Sequence, residues 1–141
     1  MKRHDLREQV FKLLFRLEFH NASDIPEQLQ LFCDGFGAEE DVDALKVAET
    51  EKVSERFELV QAKIADIDKV INENTEGWDT TRMGKVELAV LRLAVYEMRY
   101  DEEVPANVAI NEAVEIAKKY GQENSGSFVN AILGKIAKLG D

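Results

Sequence analysis

The sequence predicts an all-α protein of about seven helices in two packed helical subdomains, and three observations carry that prediction. Apolar residues recur every three or four positions along most of the chain, and no segment sustains a period of two. The breaks between the periodic stretches hold the residues that start and stop helices. With 141 residues the chain is long enough for one domain to bury about 70% of the surface that its unfolded form exposes. Cys33 is the only cysteine, so no internal disulfide is needed or possible, and a lone thiol at a helical position reads as a small core residue.

Residues 3–20 place Leu6, Val10, Leu13, Leu14 and Leu17 on one helical stripe, with Phe11, Phe15 and Phe19 on its flank. Asp24 ahead of Pro26 and Glu27 has the composition of a helix entrance. Leu29, Phe32, Cys33 and Phe36 then form the buried side of a short second helix that ends near Gly35 or Gly37. The acidic stretch GAEEDVDALKVAETEK, residues 37–52, reads as a loop running into helix. From about Ser54, the positions Phe57, Val60, Ile64, Ile67 and Ile71 predict one long third helix that stops at Gly77. The first subdomain is thus expected to span about 1–77 and the second about 78–141.

Trp78 opens the second half. In GWDTTRMGK, Asp79 is placed to cap a short helical turn. After Gly84, KVELAVLRLAVYEMRY is apolar on nearly every side, as a helix running through the middle of a bundle is, so Val86, Val90, Leu91, Leu93, Ala94 and Tyr96 are expected in the core. Glu87, Arg92 and Glu97 interrupt that surface, and each needs solvent or a partner. DEEVP then sets acids and Pro105 ahead of the next helix, where a missing N–H costs nothing and negative charge suits the dipole. In that helix Ala109, Ala113, Ile116, Ala117 and Tyr120 share a face, and the small alanines allow close packing. A last helix from about Ser125 to Leu139 buries Val129, Ile132, Leu133 and Ile136.

The net charge of −10 is unevenly placed. Residues 1–20 carry five basic and three acidic side chains, residues 21–77 five and fifteen, and residues 78–141 eight and ten. A basic island on an acidic body is not the footprint of a simple nucleic-acid binder. It suits a basic protein partner on one surface and a short phosphate backbone on another, or else a solvated acidic face that only keeps the chain in solution. Lys2, Arg3, Arg7, Lys12 and Arg16 interrupt the first twenty residues, so neither a signal peptide nor a membrane span is expected there, and the cytoplasm is the expected location.

No phosphate-cradling glycine motif, cysteine pair or histidine pair at metal spacing is present, so neither enzyme, cofactor nor metal is expected. His4 and His20 stand sixteen residues apart and read as surface residues. Two stretches hold candidate contacts. In MKRHDLRE, Lys2, Arg3, His4 and Arg7 occupy the entry and first turns of a helix, where flexible cations beside backbone N–H groups grip phosphates; an ordinary charged terminus fits the same residues. In GQENSGSFVN, residues 121–130, Asn124 and Ser125 are helix-capping residues that also serve as donors to a base edge or phosphate, and Phe128 offers either a stacking face or a core side chain.

Taken together, Trp78-Asp-Thr-Thr-Arg82, LRLAVYE (91–97), VPANVAINEAVEIAKKYG (104–121) and SGSFVNAIL (125–133) closely resemble the NusB family of bacterial transcription antitermination factors. The resemblance is specific from Trp78 to Ile136; before it lie the Arg7-Glu8 and LLF pattern and a long helix, while residues 37–52 fall where members differ. It implies a fold of two helical subdomains, affinity for the single-stranded boxA element of ribosomal RNA leaders, and a heterodimer with the ribosomal protein NusE. It further implies a non-catalytic role in which the pair tethers boxA to the RNA polymerase antitermination complex. RNA contacts carry over to Lys2, Arg3, His4 and Arg7 and to Asn124, Ser127 and Phe128, while Phe15 and Glu87 fall where members touch either RNA or the partner. Some members open with a denser arginine run than KRHDLR, so low RNA affinity without the partner is expected here. Two alternatives remain: a protein-only acidic helical adaptor, and an RNA-binding accessory subunit of an RNA methyltransferase, because NusB-like domains also precede such enzymes. A homodimer that covers the first helix is compatible with the same sequence.

Overall fold

The computed structural model describes residues 2–19, 24–27, 30–31, 47–75 and 79–139. Six helices run through them: α1 (Arg3–Leu17), α2 (Val47–Ala62), α3 (Ile64–Glu73), α4 (Lys85–Tyr100), α5 (Ala106–Tyr120) and α6 (Ser125–Leu139). Helical backbone at residues 25–27 and 30–31 marks a seventh segment where the short second helix is expected. No strand occurs among the described residues, as the absence of period-two patterning predicts. Leu29, Phe32, Cys33, Phe36, Gly77 and Trp78 lie outside the described residues.

The chain divides into two compact units, Met1–Leu59 and Val60–Asp141. In the first, α1 buries Val10, Phe11, Leu13, Leu14 and Leu17, and α2 buries Val53 and Phe57. The aromatic flank of α1 grades outward: Phe11 is buried, Phe15 half-buried and Phe19 59% exposed. Phe15 bridges the other two rings, stacking on Phe11 at 6.1 Å and meeting Phe19 edge-on at 5.3 Å.

One expectation fails at Lys63. The predicted long helix is two helices, because the Lys63 N–H bonds the Val60 carbonyl at 3.0 Å, three residues back, and the Lys63 backbone turns to ψ 9°. This tighter turn restarts the helix, and Ile67 N–H already returns to the Lys63 carbonyl at 2.9 Å. The helix also ends earlier than Gly77: Asn74 caps α3 with its side-chain amide on the Val70 carbonyl at 2.8 Å.

In the second unit α5 packs against both α4 and α6, α4 also packs against α6 and α3, and α3 reaches α6. The middle position of α4 follows from its composition: Leu88 through Leu91 and Leu93 through Glu97 are buried. Val86, expected in the core, is half-buried, since it sits in the first turn after the Gly84 cap and has no preceding helical turn to cover it. Arg92 reaches its partner across the helix interface, its Nε and Nη2 donating to the two Asp68 carboxylate oxygens at 2.9 and 2.8 Å. Before α4, the Asn72 side chain accepts the Thr80 N–H at 2.8 Å and so ties the 79–82 turn to the end of α3. Asp79 shapes that turn by accepting from the Thr81 N–H at 3.0 Å and from the Thr81 hydroxyl. These bonds, the hydroxyl foremost, with help from the nearby Arg82 charge, hold the Asp79 carboxyl below the usual aspartate range.

Candidate nucleic-acid interface

Each unit carries one of the two stretches that the sequence singles out. In the first unit Lys2 is the N-cap of α1 and Arg3 its first residue, and both side chains are exposed. His4 is half-buried with Nε2 3.5 Å from a Glu8 carboxylate oxygen, one helical turn away. Arg7 differs from its neighbours: only 8% of it is exposed, because it shares the α1 stripe of Val10, Phe11 and Leu14. Lys2 and Arg3, with exposed Asp5 beside them, are therefore the accessible cations of this stretch, and Arg7 is not.

In the second unit the link between α5 and α6 is built around a serine. Ser125, the first residue of α6, lies on the stripe of Val129, Ile132 and Ile136 and has no exposed surface. Its hydroxyl accepts the Gln122 N–H at 2.8 Å and donates to Glu87 Oε1 of α4 at 2.7 Å. A backbone N–H only donates, so the hydroxyl accepts there and keeps its own proton for the carboxylate. Gly121 makes room for it. Its φ of −97° suits any residue, but a Cβ there would stand 2.5 Å from Ser125 Oγ and 2.7 Å from the Ala117 carbonyl oxygen.

Around this buried knot the polar residues face outward. Gln122, Glu123, Asn124 and Ser127 are exposed, and Phe128 is half-buried, between the stacking face and the core side chain allowed by the sequence. Gly126 is buried against α5: a Cβ there would meet Lys118 Cγ at 3.1 Å and Cε at 3.4 Å, so the lysine stem lies across the first turn of α6. The sequence singles out neither Lys118 nor the Glu87 to Ser125 bond. The glycine at the start of α6 signals the first, since a missing Cβ permits close approach. No local pattern signals the second, which joins residues 38 positions apart.

The arrangement presents hydrogen-bond donors, lysines and an aromatic edge. A serine with no exposed surface cannot attack a substrate, even with a carboxylate beside it. No cluster of histidine, cysteine or carboxylate side chains among the described residues could hold a metal ion. Among them, too, no helix is long and apolar enough to cross a membrane. The described residues thus form an all-helical fold with a polar stretch flanked by lysines at the start of α6.

Comparison with known proteins narrows the class. Residues 4–138 match the NusB family. The transcription antitermination protein NusB of Agathobacter rectalis is 44% identical over 137 residues, covering 97% of this chain and all of that protein. Among solved structures, T. maritima NusB superposes with a TM-score of 0.82 at 36% identity, covering 98% of this chain and 92% of the other. The same fold is seen in a crystal structure of the antitermination factors NusB and NusE with double-stranded RNA, at a TM-score of 0.74, 24% identity and 99% coverage of both chains. The chain belongs to the NusB family, whose members are non-catalytic transcription antitermination factors.

Proposed function

We propose that this chain binds the boxA RNA of ribosomal RNA leaders together with NusE and, in the cytoplasm, tethers that RNA to the elongating RNA polymerase. The observation that carries the proposal is family membership across residues 4–138, which spans the second candidate stretch and the first from His4 onward. Lys2, Arg3, His4 and Arg7 supply RNA contacts in the first unit, with Lys2 and Arg3 foremost because they are exposed. Asn124 and Ser127 supply donors in the second, and Phe128 stacks on a base. Phe15 serves the RNA or NusE side of the complex, and Glu87 stands behind the second stretch through its bond to Ser125. A basic ribosomal protein suits a chain of net charge −10, and the pair offers RNA more positive potential than this chain does by itself. Tethering raises the effective concentration of the other factors, so weak individual contacts suffice.

The test is fluorescence anisotropy of a short boxA RNA and a scrambled control against the chain, with and without NusE, over a range of salt concentrations. The expected result is tighter, sequence-selective binding with NusE present, with a salt slope of roughly 0.7 per neutralised phosphate. Arg3→Ala should weaken it; unchanged binding in Arg3→Ala with Arg7→Ala would remove the N-terminal assignment. No selective binding by a verified heterodimer would refute the RNA half of the proposal and leave a protein-only adaptor.

A further inference from the structure

Glu87 and Ser125 stand at the centre of the second stretch, yet neither is built like a ligand contact. Ser125 is fully buried, and both capacities of its hydroxyl are in use, one toward the Gln122 N–H and one toward Glu87 Oε1. Glu87 leans back over the start of its own helix, because a Cβ added to Gly84 would collide with its second carboxylate oxygen. The carboxylate is therefore held between the Gly84 cap of α4 and the first residue of α6. A glycine at 84 and a glycine at 121 are what leave space for this arrangement, each facing one end of the same bond.

From this geometry we infer that Glu87 and Ser125 form a brace that positions the 121–128 segment for RNA, with Glu87 acting through Ser125 rather than touching RNA itself; the inference rests on the RNA-binding function proposed above. The brace links three pieces of backbone. Glu87 belongs to α4, Ser125 begins α6, and Gln122 lies in the link that leaves α5. Fixing Ser125 fixes its neighbours Asn124 and Ser127 and, one turn on, Phe128. Without it the link would have to be ordered when RNA binds, and ordering on binding lowers affinity without removing a contact.

A brace and a direct contact differ in what a neutral replacement does. The side-chain oxygen of Gln accepts from Ser125 as the carboxylate does, so Glu87→Gln keeps the brace while removing the charge. Glu87→Ala and Ser125→Ala each remove it, and once one partner is gone the second substitution has nothing left to break. The experiment measures boxA affinity of the full chain with NusE for Glu87→Gln, Glu87→Ala, Ser125→Ala and the double alanine variant. Beside it, amide hydrogen exchange of the Gln122 N–H is followed in the same proteins without RNA. We expect near wild-type affinity and Gln122 protection in Glu87→Gln. The two alanine variants should each lose about tenfold in affinity, the scale of one freshly ordered side chain, and the double variant no more than either alone. Their salt slopes should match wild type, because no phosphate contact is lost.

Two results would overturn the brace. One is a Glu87→Gln variant as weak as Glu87→Ala beside an unaffected Ser125→Ala, which would make the Glu87 charge itself the contact. The other is unchanged Gln122 exchange in both alanine variants. Absence of RNA binding by the wild-type heterodimer is a different failure, of the RNA-binding function, and the exchange measurement still decides whether the segment is braced. Should Ser125→Ala fold poorly, the Glu87→Gln and Glu87→Ala pair carries the comparison.

Discussion

Removing the Asp68 carboxylate should cost the chain about 2 kcal/mol, a value that follows from where its ion pair with Arg92 sits. Exposed pairs contribute about 0–1 kcal/mol, whereas breaking a fully buried pair costs about 3–5 kcal/mol. Here the Arg92 side chain is 16% exposed and that of Asp68 24%, and the guanidinium meets both carboxylate oxygens with near-ideal distances. The pair lies between the two limits, and its bidentate geometry puts it above the exposed one. Arg92 has other interactions as well, so its own replacement would measure more than this bond. Asp68→Ala is the cleaner probe, and Asp68→Asn, which keeps an acceptor but not the charge, should lose about half as much. The assay is urea unfolding of Asp68→Ala, Arg92→Ala and the double variant, urea being chosen because guanidinium would screen the charges. A coupling of about 1–2 kcal/mol is expected, and roughly 6 °C of melting temperature for Asp68→Ala. A coupling below about 0.5 kcal/mol, or one abolished by about 1 M salt, would mean that the pair behaves as a surface pair and that its partial burial does no electrostatic work.

Other positions give sharper signs than magnitudes. Gly134→Ala should raise stability by about 0.5–1 kcal/mol in the same urea assay, because the glycine lies inside α6 and a Cβ there meets nothing within 4 Å. Gly121→Ala should instead cost about 1–3 kcal/mol, since its Cβ would press on the Ala117 backbone carbonyl, which cannot swing aside; a neutral result would show that the link relaxes. Thr81→Val should move the NMR-detected Asp79 titration upward toward the ordinary aspartate value, though not fully, because the Thr81 N–H and the Arg82 charge remain. A carboxyl depressed in the folded state adds stability above its unfolded pKa and loses it as pH falls through the folded one, so Thr81→Val should weaken that acid-side dependence. An unmoved Asp79 titration would discard the hydroxyl as the cause.

Stripe logic explains both what was legible in the sequence and what was not. The middle position of α4 was readable because an apolar run with three interrupting charges has few other places to go, and Val90, Leu91, Leu93, Ala94 and Tyr96 are all buried. The same logic, applied further, would have placed Arg7 indoors: it precedes Val10, Phe11 and Leu14 by three, four and seven residues. Its chemistry drew it into the basic candidate group instead. Ser125, read as a helix cap, would have been placed indoors on the same grounds, four and seven residues before Val129 and Ile132, but its bond to Glu87 would not, because helix periodicity says which face is buried and nothing of what stands opposite. The break at Lys63 was invisible for another reason. Val53, Phe57, Val60, Ile64, Ile67 and Ile71 keep an unbroken four-three alternation through it, and neither glycine nor proline marks the place.

The remaining question for a chain of net charge −10 is how RNA approaches it at all, and α5 supplies a local answer. Between residues 118 and 128 stand Lys118, Lys119 and one acid, Glu123, so this stretch is cationic on an acidic protein. Lys119 carries its ammonium over the Tyr120 ring at 5.4 Å, whereas the Lys118 stem runs across the first turn of α6 beside the exposed Asn124 and Ser127. That path brings the Lys118 stem to the first turn of α6, the helix that carries the proposed base-stacking Phe128. If it meets a phosphate, Lys118→Gln in the NusE complex should reduce the salt slope by about 0.7 and weaken boxA and scrambled RNA alike, since phosphate contacts carry no sequence information. Phe128→Ala should do the reverse, leaving the slope unchanged while costing about 1–3 kcal/mol of binding, the scale of one stacked base. An unchanged slope in Lys118→Gln would place the RNA backbone elsewhere, and the positive potential would then have to come from Lys2, Arg3 and the basic partner.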